Sequence, residues 1–155
     1  MFFFTNFEIM PPKSKVCFFF QEVKANLTNR SILKKYIESI FRKEGQKLDS
    51  VNFIFCSDKA LLKINQTYLK HDFYTDIITF NLSDNESIRA EIYISIDRVR
   101  ENSFALGVPY KAELLRVIFH GVLHLCGYND KTKTEKKKIR KREDLFINKY
   151  QSRSL

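Results

Sequence analysis

No run in this chain is long and apolar enough to cross a bilayer, which excludes a helical membrane protein. Cysteine is scarce and odd in number: Cys17, Cys56 and Cys126 show no paired spacing. That argues against a disulfide framework and for reduced thiols in a cytoplasmic protein. Only four glycines are present, none grouped with serine into a linker, and no internal repeat is found. The 155 residues therefore read as one domain, 1–155, long enough to bury roughly 68–70% of the unfolded surface without staples. The opening Met1-Phe-Phe-Phe-Thr-Asn-Phe-Glu lacks a basic region and a small-residue cleavage site, so no secretory leader is expected. Acidic charge is short as well. Eighteen Asp and Glu face 27 Lys and Arg, a formal net charge of +9. Such an imbalance points to an anionic partner, nucleic acid before a membrane surface.

The apolar pattern alternates between strands and helices. Val16–Val23 reads as a first strand and residues 29 or 30 to 44 as a helix, with Ile32, Leu33, Tyr36, Ile37, Ile40 and Phe41 at helical spacing and Gly45 as its stop. A strand at 50–56 follows, then a helix from Ser57 or Asp58 to Tyr68, an order that favours a parallel strand pair. A polar, aromatic loop, 68–76, leads into Ile77–Phe80, a turn, and Ile88–Ser95, as in an antiparallel hairpin. Asp97 is placed to cap the next helix, which ends near Gly107. Tyr110 to Leu125 forms a central helix, apolar on several sides apart from Glu113 and Arg116, with Glu113 read as a surface residue near its start. The expected fold is α+β: one small mixed sheet of about four strands packed with several helices.

On that central helix lie two of the chain's three histidines, His120 and His124. Four residues apart, they share a face one turn above each other, so both imidazoles can address one atom. Gly127 suits a helix stop at positive φ, after which Asp130 can return toward them. Two imidazoles and a carboxylate with a fourth position open form the ligand set of a catalytic zinc site. Cys126 points well away at about 100° per residue and is read as a core thiol.

The run His120-Gly-Val-Leu-His124-Leu-Cys-Gly127-Tyr128-Asn129-Asp130 resembles the signature of the YbeY endoribonuclease family, His-Gly-x-Leu-His-Leu-x-Gly-Tyr-Asp-His. It departs at Asn129, where the family has Asp, and at Asp130, where it has a third histidine. Asp130 adds a negative charge to the site, so a bound water is expected to be less acidic there than beside three histidines. Asn65, Tyr68, Asp72, Thr75, Asp76 and Phe80 match a second family stretch, but the family's arginine falls on Leu69, with Lys70 next in sequence. Lys70 cannot reproduce the bidentate guanidinium. His71, beside it, is the less favoured choice of third ligand.

The resemblance implies a zinc-dependent, single-strand-specific endoribonuclease of the cytoplasm, acting in 16S rRNA 3′-end maturation and ribosome quality control. Its partners would be precursor rRNA and the small ribosomal subunit, with neither DNA nor membrane involved. Lys70, Asp76 and Glu113 are the catalytic candidates, with Asp72 a further candidate base. The basic tail, 131–142, supplies Lys136, Lys137, Arg140 and Lys141 for phosphate contact, with Ile139, Leu145, Phe146 and Ile147 as a docking stripe. A protease is disfavoured because Gly121 stands where the His-Glu-x-x-His motif has its general base. Two rivals stay open: a ribosome-assembly factor with structural zinc, and a metal-dependent hydrolase of another substrate.

Overall fold

A computed structural model describes residues 14–84 and 86–153; the Phe-rich start and Asn85 lie outside them. The elements in chain order are β1 (Val16–Phe20), α1 (Arg30–Lys43), β2 (Lys47–Cys56), α2 (Asp58–Leu69), β3 (Ile77–Asn81), β4 (Ser87–Ser95), α3 (Ile96–Leu106), α4 (Tyr110–Leu125) and α5 (Lys133–Arg153). The sheet order is β1-β2-β4-β3. β1, β2 and β4 run parallel, and β3 is antiparallel to β4 on the edge. The α+β architecture is as expected, including the parallel β1–β2 pair and the β3–β4 hairpin.

The period-2 alternation of the strands sorts their side chains onto two faces. Val51, Phe53 and Phe55 of β2 and Ile88, Ala90, Ile92 and Ile94 of β4 join the main core with α1, α4 and α5. Ile54, Cys56 and Tyr93 point the other way, into a smaller core with Leu61 and Ile64 of α2. α4 thus lies against the larger face of the sheet, buried along Leu114, Val117, Ile118, Phe119, Val122 and Leu123.

Three local expectations are corrected. β1 stops at Phe20 instead of Val23, because Glu22 takes a positive φ that a strand cannot hold. The cap of α3 is Ser95, whose side chain accepts from the Arg98 amide; Asp97 instead accepts from the Asp58 amide at the start of α2. Glu113 is only 5% exposed: α4 enters the core within its first turn, so its start is not a surface.

Gly121 shows why this position carries no side chain. A Cβ there would stand 2.8 Å from Ile77 Cδ1 and 3.1 Å from Ile92 Cδ1, so the ends of these two side chains would have to shift to admit one. Overpacking of this kind costs about 1–3 kcal/mol, against a helix-propensity gain of roughly 1 kcal/mol for alanine. Gly121→Ala is expected to lower stability by about 1 kcal/mol net, read from denaturant midpoints. A stabilised variant would show that the helix–sheet contact has slack.

Candidate metal centre and cleft

The last turn of α4 sets the site. The Gly127 amide donates to the His124 carbonyl (3.0 Å) and the Tyr128 amide to the Leu123 carbonyl (3.0 Å), with Gly127 at φ 96°. This is a Schellman stop, which satisfies the helix's free carbonyls and reverses the chain. α5 then starts promptly: Thr132 Oγ1 accepts from the Glu135 amide, and Glu135 accepts from the Lys131 and Thr132 amides, a capping box. Asp130 is held between these two devices.

His120, His124 and Asp130 each offer one ligand atom, all within 4.8 Å of one another. His120 Nε2 and His124 Nε2 are 2.9 Å apart, and Asp130 Oδ2 lies 3.5 Å and 3.3 Å from them. The other ring nitrogens fix the tautomers. His124 Nδ1 donates to the Tyr128 carbonyl (2.9 Å), which can only accept, and His120 Nδ1 donates to the Glu143 carboxylate (2.6 Å). With each Nδ1 donating, both Nε2 atoms are turned toward each other and toward Asp130 Oδ2, and the donor set of two imidazole nitrogens and one carboxylate oxygen suits zinc.

Local sequence patterns miss one residue of the site, Glu143. It is 2% exposed on α5, between His120 Nδ1 and Arg116, whose Nη1 donates to it at 3.0 Å. Arg116 also reaches Asp144 (2.7 Å). A signal for it does exist: Ile139, Glu143, Phe146, Ile147 and Tyr150 form one buried stripe, with an acid in the middle of it.

Burial opposes protonation of His120, but the Glu143 hydrogen bond and the charges of Glu143, Asp130 and Asp76 together raise its pKa above the ordinary 6.5. In the metal-free protein the resulting stability is fully present below 6.5 and is lost as pH rises through the raised folded value. The denaturation midpoint of the metal-stripped protein is therefore expected to fall as pH rises above 6.5. Metal needs the ring deprotonated, so added zinc should stabilise increasingly over the same range. A flat midpoint would count against the His120–Glu143 coupling.

Beside the histidines is a cleft of about 390 Å³ lined by Asp76, Glu113, Arg116, His120, Asp130, Lys136, Arg140 and Glu143, among others. Burial raises the pKa of Asp76, against the opposing charge of His120; Asn102 donates to its carboxylate at 3.3 Å. Burial likewise raises Glu113, against Arg116. Of the expected residues, Asp76, Glu113, His120, Asp130, Lys136 and Arg140 line this one cleft, and His124 completes the ligand group at its side. Lys136 and Arg140, one helical turn apart on α5, form its cationic wall. Lys137 is exposed and does not line the cleft, and Lys141 lines a separate depression with Tyr128 and Arg142. Lys70 is the left-handed C-cap of α2, exposed, on the loop that leads to Asp76. His71 stacks on Phe73 and lies outside the ligand group. The Cys126 thiol is pushed up to about 12, by burial first, and lies outside the ligand group.

A family model described as Endoribonuclease YbeY matches residues 19–151. This chain belongs to the YbeY endoribonuclease family. Its relatives named Endoribonuclease YbeY include one from Amoebophilus asiaticus, 42% identical over 137 residues (88% of this chain, 93% of that one). Another, from Cytophaga hutchinsonii, is 44% identical over 137 residues (87% and 96%). A solution structure of a Thermotoga maritima protein superimposes with a TM-score of 0.62 at 26% identity, covering 89% of this chain and 90% of that one. The family membership agrees with the motif on α4. Among the described residues, no helix is long and apolar enough to cross a membrane.

Proposed function

We propose that this protein is a zinc-dependent endoribonuclease that cuts single-stranded RNA, acting in the cytoplasm on the 3′ end of small-subunit ribosomal RNA precursors. The observation that carries the reading is the convergence of His120, His124 and Asp130 beside a cleft walled by Lys136 and Arg140, in a member of this family. Zinc, when bound, supplies a Lewis acid and lowers the pKa of a bound water to about 7.

The chain's own groups have distinct tasks. Glu143 and the Tyr128 carbonyl orient the two imidazoles so that Nε2 faces the metal position. Lys136 and Arg140 attract and position phosphates without reading sequence. Asp76, a carboxylate raised by burial and lying in the cleft, is the group we assign as proton acceptor. Glu113, almost unexposed and also raised, is its alternative as proton carrier. Lys70, exposed on the adjoining loop, is assigned to the outer phosphates.

The test pairs metal content with cleavage of single-stranded RNA by wild type and by Asp130→Ala at matched metal occupancy. About one zinc per chain, with cleavage collapsing in the variant, is the expected result. Zinc bound at one per chain with no RNA cleavage by wild type would sink the nuclease reading and leave a structural or differently directed site.

A further inference from the structure

The loop between α2 and β3 carries rings where a soluble protein ordinarily hides them. Phe73 is 56% exposed and Tyr74 54%, with Tyr68 and Leu69 partly exposed beside them. The backbone beneath is pinned. The Asn65 side chain, 1% exposed, donates to the Phe73 carbonyl at 2.9 Å, the His71 amide donates to the Asn65 carbonyl at 3.2 Å, and Gln66 engages Asp72. Each ring has a partner among the described residues. His71 stacks on Phe73 with centroids 5.1 Å apart and planes 22° off parallel, and the Arg98 guanidinium lies 5.1 Å over the Tyr74 ring. More than half of each residue is exposed, which leaves ring surface open to another flat partner. These are rigid, preformed stacking surfaces.

Their position identifies the partner. Tyr74 is two residues from Asp76, which lines the cleft. That is at most about 7 Å of chain, which sets the loop next to the cleft. The protein carries a net +9, and the cleft wall holds Lys136 and Arg140. The exposed rings are interrupted by Lys70, His71 and Asp72, all exposed, and do not make the continuous apolar patch a protein partner would need. Aromatic side chains beside a cationic groove are how single strands are held without sequence preference.

We propose that residues 68–74 form a base-stacking platform for single-stranded RNA, with Phe73 and Tyr74 as the contact rings. This rests on the nuclease reading above and deepens it: the platform selects unpaired strands, because a duplex keeps its base faces stacked inside.

The test uses the full-length protein and fluorescence anisotropy with a short oligouridylate of cleavage-resistant backbone, and with an abasic version of the same strand. Phe73→Ala is expected to weaken oligouridylate binding by about 5- to 150-fold, with the salt slope unchanged because no phosphate contact is lost. Abasic affinity should not change, and Phe73→Trp should bind as well as wild type or better. Because the ring is largely exposed, truncation removes little core packing. If Phe73→Ala binds oligouridylate like wild type, the platform is wrong, the rings serve a protein partner or none, and the nuclease reading stands. If abasic binding falls equally, the loop acts through backbone structure and stacking is overturned. If wild type binds neither strand, the platform and the nuclease reading fall together.

Discussion

His120→Ala is expected to abolish zinc binding and RNA cleavage together while leaving a folded protein. The imidazole is the shared element of the site. Its Nε2 stands 2.9 Å from that of His124 and 3.5 Å from the Asp130 carboxylate, and its Nδ1 is anchored on Glu143. Without it, two ligand atoms remain, one of them on Asp130, a partly exposed residue between two helices. Replacing a group that only orients a ligand typically costs about 10–100-fold in metal affinity, so removing a ligand should cost more than that. The fold should survive, because Glu143 keeps its ion pair with Arg116 and α4 remains buried along its apolar faces. The measurement is zinc per chain by mass spectrometry, followed by cleavage at saturating zinc, with circular dichroism as the check on folding. Full cleavage by a metal-free, folded variant would remove the metal from the mechanism altogether.

The second large effect is expected at Glu143, far from the motif in sequence. Glu143→Ala should weaken zinc binding by about 10–100-fold and destabilise the protein as well. Two causes add. His120 loses the acceptor that keeps its proton on Nδ1, so the ring is free to place it on the atom that must bind metal. Arg116 loses its buried partner and keeps only Asp144, which is half exposed. Breaking a buried pair costs roughly 3–5 kcal/mol, and the remaining Asp144 contact places this case toward the lower figure. Glu143→Gln separates the two roles. Its amide oxygen can still accept from Nδ1, so zinc affinity should be largely kept, while loss of the charge should lower the His120 pKa and flatten the pH dependence of the metal-free protein. Equal zinc affinity in wild type and Glu143→Ala would show that the carboxylate has no hold on the ligand.

Asp130 differs from these two in how it reaches the site. It supplies a charged oxygen where the motif it resembles has a histidine, and it is placed by the Schellman stop at Gly127 and the capping box at Thr132 and Glu135. Both devices are short-range, which is why the approach of Asp130 to the two histidines is legible in the sequence: local backbone rules decide where the chain goes within four or five residues of a helix end. The same holds for the His120 and His124 face, which follows from the 3.6-residue period alone.

The rest required the folded chain. Glu113 reads as a surface acid because helix starts are usually solvated, yet packing of α4 across the sheet buries it. Gly121 reads only as a missing catalytic base; its physical reason is Ile77 and Ile92 on two strands of the sheet. The basic tail reads as a charged face, and Lys136 and Arg140 do wall the cleft, but Lys137 and Lys141 carry the same charge on other sides of the same helix. Glu143 is hidden among cations, and its function appears only where α5 packs on α4, 23 residues away in sequence. The amino-acid sequence by itself determined most of the elements, the α+β class, the convergence of His120, His124 and Asp130 and the cationic character, because each depends on periodicity, caps or composition. Tertiary structure decided that Glu113 is buried, which cations face the cleft and what orients His120, because those depend on contacts between elements.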